Sequence, residues 1–158
     1  MNKKLNITDL LIFILSAELG GALSAIAAGG DLGGYYATLT KPPLSPPGWL
    51  FPVVWGVLYA VMGISASLIS ESGDIHKNSA LTLYIVQLFA NLLWSPVFFG
   101  LRSSGGAAAV VIVMLILVIC MTAVFGRINR CAALMNIPYI LWTAFAAYLT
   151  AGVFVLNG

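Results

Sequence analysis

Gln87, Asn91, Trp94, Ser95 and Phe98 recur at intervals of three and four inside an otherwise apolar run. On a helix they fall at about 0°, 40°, −20°, 80° and 20°, a single stripe about 100° wide. Amides in hydrocarbon need hydrogen-bond partners. The stripe therefore reads either as interhelical glue or as the polar wall of a ligand cavity. Two other apolar runs carry faces that could complete such a cavity. One has Trp55, Tyr59 and Met62 at i, i+4 and i+7. The other has Pro138, Trp142, Ala146 and Leu149, with Tyr139 and Thr143 beside them. Trp49 suits an interfacial aromatic belt, whereas Trp55 and Trp142 lie deeper in their runs. Core packing is one fate for such tryptophans. The other is a large flat pocket suited to a planar, mostly apolar ligand with a few polar edges. Sterols and tetrapyrroles both qualify.

Glu18 is the remaining chemically distinctive residue, near the middle of the first apolar run. A lone carboxyl at that depth costs at least ~2.5 kcal/mol on insertion scales. The structural reading is a protonated or interhelically hydrogen-bonded group. A proton relay would need a second ionisable group, and the other four runs contain none. Gly20 with Ser24 and Gly21 with Ala25 form small-xxx-small pairs that let another helix approach, within the chain or across a dimer. Gly105, Ala108 and Ala109 offer a second such face.

Other chemistry is excluded. No Ser/His/Asp set occurs, and no Gly-rich phosphate loop precedes a helix, so an enzyme would have to work by aromatic or photochemical means. The single histidine, His76, lies in a polar stretch, and no C-x-x-C occurs, so no metal site and no covalent haem site is expected. Cys120 and Cys131 would sit ~16 Å apart on one helix, which favours free thiols.

These residues must be positioned by membrane helices. Of 158 residues, 61% are hydrophobic and 8% charged, against roughly 25% charged in soluble chains. With ~20 apolar residues per span, the composition suffices for about five spans with little left over. The expected fold is all-α, a polytopic five-transmembrane-helix bundle forming one domain over residues 1–158. Its helices are expected over about 7–28, 49–70, 79–101, 105–125 and 132–156. The first run is too long for a signal-peptide core and reads as a retained helix. Residues 29–47, rich in Gly and Pro, form a long loop with the character of a lid. A soluble enzyme with a large extramembrane domain is excluded. Nucleic-acid binding is not expected, because the net charge is +2 with no basic cluster beyond Lys3-Lys4. Lys3, Lys4, Lys77, Arg127 and Arg130 lie on one side, and Lys41 and Arg102 on the other. That asymmetry predicts a cytoplasmic N-terminus.

Three motifs in order carry a resemblance. Tyr36-x-x-Leu39-x-Lys41-Pro42-Pro43-x-x-Pro46-Pro47-Gly48, followed by Pro52-x-x-Trp55-x-x-Leu58-Tyr59, resembles the first half of the TspO/MBR family, the translocator or tryptophan-rich sensory proteins. Gln87-Leu88-x-x-Asn91-x-x-Trp94-Ser95-Pro96-x-Phe98-Phe99-Gly100 is similar to its third helix. Pro138-Tyr139-x-x-Trp142-x-x-Phe145-Ala146-x-Tyr148-Leu149 is similar to its fifth. The resemblance covers roughly residues 36–157, the first helix matching in kind but not in motif.

The resemblance implies a compact five-helix bundle, commonly a homodimer, in a bacterial cell membrane. It implies a pocket beneath the loop between the first two helices, with Lys41, Pro42, Pro43, Pro46 and Pro47 in the lid. Family ligands include protoporphyrin IX, haem, sterols such as cholesterol, and isoquinoline carboxamides; no cofactor is required. Carried over by motif, the ligand-binding residues are Tyr36, Trp55, Tyr59, Gln87, Asn91, Ser95, Trp142 and Ala146. Trp55 and Trp142 match the tryptophans credited with light-dependent porphyrin breakdown, which makes them the candidate catalytic residues. One departure bears on the ligand. Vertebrate members place a basic residue shortly after a tyrosine late in the fifth helix, but Tyr148 is followed by ten residues without Lys or Arg. This favours a tetrapyrrole over a sterol at that element, and the lack of an intramembrane histidine favours metal-free porphyrin over ligated haem. The leading expectation is a membrane tetrapyrrole-binding sensory or regulatory protein. The alternatives are a light-dependent porphyrin-degrading enzyme, a porphyrin or sterol carrier, and a purely structural bundle.

Overall fold

The computed structural model describes residues 6–158; Lys3 and Lys4, counted in the orientation argument, lie outside them. Among the described residues six of the seven α-helices make five membrane-length rods, and the seventh, a short one, lies between the first two rods in chain order. Helix α1 spans Ile7–Ala27 and begins where the Asn6 side chain accepts the Thr8 amide at 3.0 Å. The short α2 spans Leu32–Thr38, and α3 spans Leu50–Ser70. Pro52 lies in the first turn of α3, where a missing N–H costs no helical bond. Helix α4 spans Lys77–Ser95 and continues as a π-helical stretch over Pro96–Gly100. Helix α5 spans Ser104–Ile128, α6 spans Arg130–Met135 and α7 spans Ile137–Asn157. All-α architecture and five spans agree with the expectation.

Three local features differ from the sequence expectation, and each has a physical cause. The segment 29–47 is not wholly a loop: Asp31 accepts the Gly34 amide at 3.1 Å and nucleates α2. The last span is not one helix over 132–156. It starts at Arg130, capped by Asn129, and breaks at Asn136. Pro138 cannot supply the amide that would continue the ladder to Leu134. Asn136 fills the break by donating from Nδ2 to the Ser65 hydroxyl (2.6 Å) and the Ala132 carbonyl (2.9 Å). The third difference is the π-helical stretch at Pro96. Proline leaves the Leu92 carbonyl without its helical donor, and the Ser24 hydroxyl of α1 supplies one at 2.6 Å.

Helix α1 packs on α3 and α4, α5 packs on α4 and α7, and α6 joins α3 to α5. The densest core lies along α5, where Val111, Met114, Val118, Met121 and Phe125 are almost fully buried against Met62, Ile69 and Tyr84. Leu11, Leu15, Leu19, Leu23 and Ile26 of α1 stay exposed, as an apolar helix facing lipid requires. The small-xxx-small pairs of α1 are used inside the chain: Gly20 faces Leu92, and Gly21 faces the Tyr59 ring. Gly105 likewise faces Phe154 of α7, while Ala109 is exposed. Cys120 and Cys131 are free and exposed.

With five spans, Asn6 and Asn157 lie on opposite faces. The Asn6 amide donates to Glu71 Oε1 at 2.6 Å, joining the start of α1 to the end of α3. On the other face Asn157 brackets Thr40, accepting its amide at 3.0 Å and donating to its carbonyl at 2.8 Å.

At Gly63 the α1–α3 seam brings backbone close: a Cβ there would stand 2.7 Å from the Ile14 backbone. Backbone cannot yield as a side-chain tip can. Gly63→Ala is expected to cost about 1–3 kcal/mol and to lower the apparent melting temperature in detergent. Gly56→Ala on the same helix, where a Cβ meets nothing within 4 Å, is expected to leave it unchanged or slightly raised. Equal melting of both variants would remove Gly63 as the reason these helices approach.

Candidate ligand-binding cavity

The half of the bundle beneath α2 is hollow. A cavity of about 460 Å³ lies between α1, α3, α4 and α7, roofed by Leu32, Gly33, Tyr36 and Ser45. Its volume falls within the range of small-molecule sites. Each wall follows from a local feature of the sequence. The α1 wall is low because Gly21, Ala22, Ser24 and Ala25 carry little side chain, and Glu18 is the one long residue on it. The α3 wall is aromatic, with Phe51, Trp55 and Tyr59 one turn apart. Trp55 stacks on Tyr59 at 5.7 Å and 29°. On the α4 wall Trp94 stacks on Phe98 at 5.0 Å and 14°. The α7 wall comprises Ala146, Leu149, Thr150 and Val153.

The floor is a chain of hydrogen bonds joining three helices. The Tyr59 hydroxyl donates to Asn91 Oδ1 (2.7 Å), and Asn91 Nδ2 donates to the Tyr139 hydroxyl (2.8 Å). Tyr139 in turn donates to Gln87 Oε1 (2.8 Å), and Gln87 Nε2 reaches the Met62 sulfur at 3.4 Å. All four polar residues are buried. The α4 stripe is thus glue at its inner end, Gln87, and cavity wall at its outer end, Ser95. Asn91 does both.

The lid is anchored rather than loose. Lys41 Nζ donates to the carbonyls of Tyr36 (3.0 Å) and Leu39 (3.1 Å) and stands 4.9 Å from the centre of the Tyr36 ring. Its charge is absorbed by the lid itself. The Tyr36 hydroxyl donates to the Pro46 carbonyl at 3.0 Å, and its ring meets Phe51 edge-on at 5.5 Å. Burial pushes the Tyr36 hydroxyl above its ordinary pKa, and its hydrogen bond with Ser45 opposes the shift. Pro42 is buried against Gly152, where a Cβ would come within 2.6 Å of its ring. The Tyr148 hydroxyl donates to the Pro43 carbonyl at 2.9 Å. Pro47 is exposed, and its carbonyl accepts the Leu50 amide at the start of α3.

Six of the eight expected ligand-binding residues are brought together on the cavity: Tyr36, Trp55, Tyr59, Asn91, Ser95 and Ala146. Two are not. Gln87 lies behind the floor with no exposure. Trp142 lies beyond Phe51, ring centres 6.0 Å apart, and lines a shallow outer groove between α3 and α7 with Val53, Val57 and Leu141. The two candidate catalytic tryptophans therefore occupy different surfaces. The ligand-binding set carried over by motif leaves out Phe51, Trp94, Phe98 and the α1 wall, all of which line the cavity. Trp94 and Phe98 were legible in the α4 stripe. Phe51 carried no signal of its own, since it precedes a proline at a helix start. No cluster of His, Cys, Asp or Glu suited to a metal ion occurs among the described residues.

A sequence model of the TspO/MBR family matches residues 12–156. The chain is 38% identical over 125 residues to the tryptophan-rich protein TspO of Chlorobaculum tepidum, covering 78% of this chain and 79% of that protein. It is 33% identical over 155 residues to protein CrtK of Rhodobacter capsulatus, covering 97% and 95%. It is also 36% identical over 140 residues to the translocator protein of Bos taurus, covering 87% and 83%.

The floor makes a testable claim about Asn91. Asn91→Leu leaves the Tyr59 hydroxyl without its acceptor and removes a donor from Tyr139, an expected cost of about 1–3 kcal/mol for each buried group left unsatisfied. Ser95→Ala touches no hydrogen bond of that chain and is expected to stay within about 0.5 kcal/mol of the parent. Thermal unfolding of the two variants in one detergent checks this; comparable stability for both would show that the chain does not hold the helices.

Proposed function

Because this chain belongs to the TspO/MBR family of integral membrane proteins, we propose that it is a tetrapyrrole-binding sensory or regulatory protein. Its ligand under this reading is protoporphyrin IX or haem, held in the cavity beneath α2. The observation that carries the reading is the cavity itself. It is flanked by the faces and edges of Trp55, Tyr36, Phe51 and Trp94, and its polar floor has its hydrogen bonds already satisfied. An apolar planar ring gains contact area there without unpairing the floor. The metal-free macrocycle suits it better, since the one histidine is exposed at the start of α4, on the face away from the lid. Under the same reading the host is a bacterial cell membrane, with the N-terminus cytoplasmic and the lid outside. Lys77, Arg127 and Arg130 lie on the face of Asn6, against Lys41 and Arg102 on the lid face. The exposed apolar helix faces meet lipid and a second copy of the chain.

A second reading, light-dependent porphyrin breakdown, is favoured by one feature. Trp55 borders the cavity, stacks on Tyr59, and meets Tyr139 edge-on at 6.2 Å. An indole so placed can donate an electron to an excited macrocycle and be backed by two phenols. A carrier role is less suited to one cavity with no repeated half.

The test is a protoporphyrin IX titration of the purified protein, following tryptophan fluorescence in the dark and absorbance under illumination. Saturable quenching is expected, weakened about fivefold or more in Trp55→Phe. Trp142→Phe, behind Phe51, is expected to change affinity by no more than about twofold. A new light-dependent absorption band would select the second reading. Absence of saturable quenching would overturn tetrapyrrole binding while leaving the family and the fold untouched.

A further inference from the structure

Among the described residues Glu18 is the one acidic or basic residue inside a membrane span and more than three residues from either end of it. At 1.5 Å per residue it stands about 15 Å from either end of α1. Its placement follows from the helix it sits on. Outward positions of α1 are Leu and Ile exposed to lipid, whereas Glu18 is on the cavity side with Gly21, Ala22 and Ala25. Those neighbours are too short to cover it. The α1 contacts to other helices are made elsewhere, by Gly63 at Ile14, by the Tyr59 ring at Gly21, and by the Ser24 hydroxyl on the Leu92 carbonyl. Among the described residues the Glu18 carboxyl takes part in no hydrogen bond and no ion pair. The interhelical-glue reading of this residue therefore fails, and what remains is a carboxyl presented to the ligand space.

The floor and the lid do not compete for that role, and the unpartnered Trp94 Nε1 on the α4 wall is a donor with nothing to offer a donating nitrogen. The polar floor is internally satisfied through Tyr59 and Asn91, and the one lysine of the lid is turned back on its own carbonyls. We infer that Glu18 is a specificity-determining residue: it selects planar apolar ligands that carry a protonated or otherwise hydrogen-bond-donating nitrogen, and it rejects those that present a carboxylate to the α1 wall. A charge-assisted hydrogen bond is short and strong in a water-poor site. A carboxylate facing Glu18 would meet a like charge, or force a proton onto one of the pair. The inference uses the cavity described above but does not require tetrapyrrole binding.

Three pyrenes of one ring size test it: 1-pyrenemethylamine, 1-methylpyrene and 1-pyrenecarboxylate. Each is titrated against the full chain in an uncharged detergent, reading energy transfer from tryptophan to pyrene. For the parent protein the amine is expected to bind about tenfold more tightly than methylpyrene, and the carboxylate most weakly. In Glu18→Gln the amine preference is expected to shrink to within about twofold, with the carboxylate gaining affinity. Three equal affinities in the parent protein, or no saturable transfer with any pyrene, would overturn the inference without reference to a variant. An amine preference that survives Glu18→Gln would overturn it too. A protoporphyrin IX titration of the same preparation separates the two readings. Porphyrin binding without an amine preference removes the role of Glu18 alone. An amine preference without porphyrin binding upholds Glu18 and removes the tetrapyrrole reading.

Discussion

A bilayer offers no water to an unpaired polar group, and the architecture depends on meeting that constraint internally. The chain from Tyr59 through Asn91 and Tyr139 to Gln87 meets it for three helices at once. Lipid tails give apolar helices little reason to prefer one another over solvent, so directional bonds and close packing must set their positions. The four residues fix the register of α3, α4 and α7 at mid-depth. Above them the helices part enough to leave a cavity; beside and below them α5 fills the centre with Val, Met and Phe.

The same constraint explains how the chain tolerates prolines within its spans. Pro96 and Pro138 each remove an amide and strand a carbonyl. At Pro96 the repair comes from another helix, Ser24 donating to the Leu92 carbonyl, so the defect in α4 also docks α1. At Pro138 the rod breaks, and Asn136 fills the gap while reaching Ser65 of α3. In both places the backbone defect has become an interhelical bond, and the π-helical stretch after Pro96 carries Phe98 and Phe99 onto the cavity wall.

The lid extends this logic to the aqueous face. Its prolines limit backbone freedom. Its ties to α7 through Thr40, Pro42 and Pro43 hold it over the opening. Lys41 is used internally, which leaves the mouth of the cavity aromatic rather than cationic. The cavity thus combines a satisfied floor, aromatic walls on α3 and α4, and one unsatisfied carboxyl on its lowest wall, an asymmetry that gives a planar ligand a preferred way round.

Hydropathy and motif spacing suffice for much of this. Five apolar runs and too few charges for a soluble surface specify a helical membrane bundle, because only helices satisfy their own backbone within one segment. The i, i+4 spacing of Gln87, Asn91 and Ser95 places them on one face of one rod, a local consequence of helical pitch. Pitch cannot say what lies opposite. Whether Gln87 is glue and Ser95 is wall depends on how far α3 and α7 stand from α4 at each depth, and that distance is set by Tyr59 and Tyr139 reaching across. Trp142 shows the same limit. Its motif and depth match those of Trp55, yet Phe51, a residue with no periodic signal, stands between it and the cavity. Glu18 was conspicuous as a charge at mid-span, but spacing along α1 could not tell a partnered carboxyl from a free one. Only the packing of α1, through glycines that spend its small face on Tyr59 and Leu92, turns that carboxyl toward the ligand space.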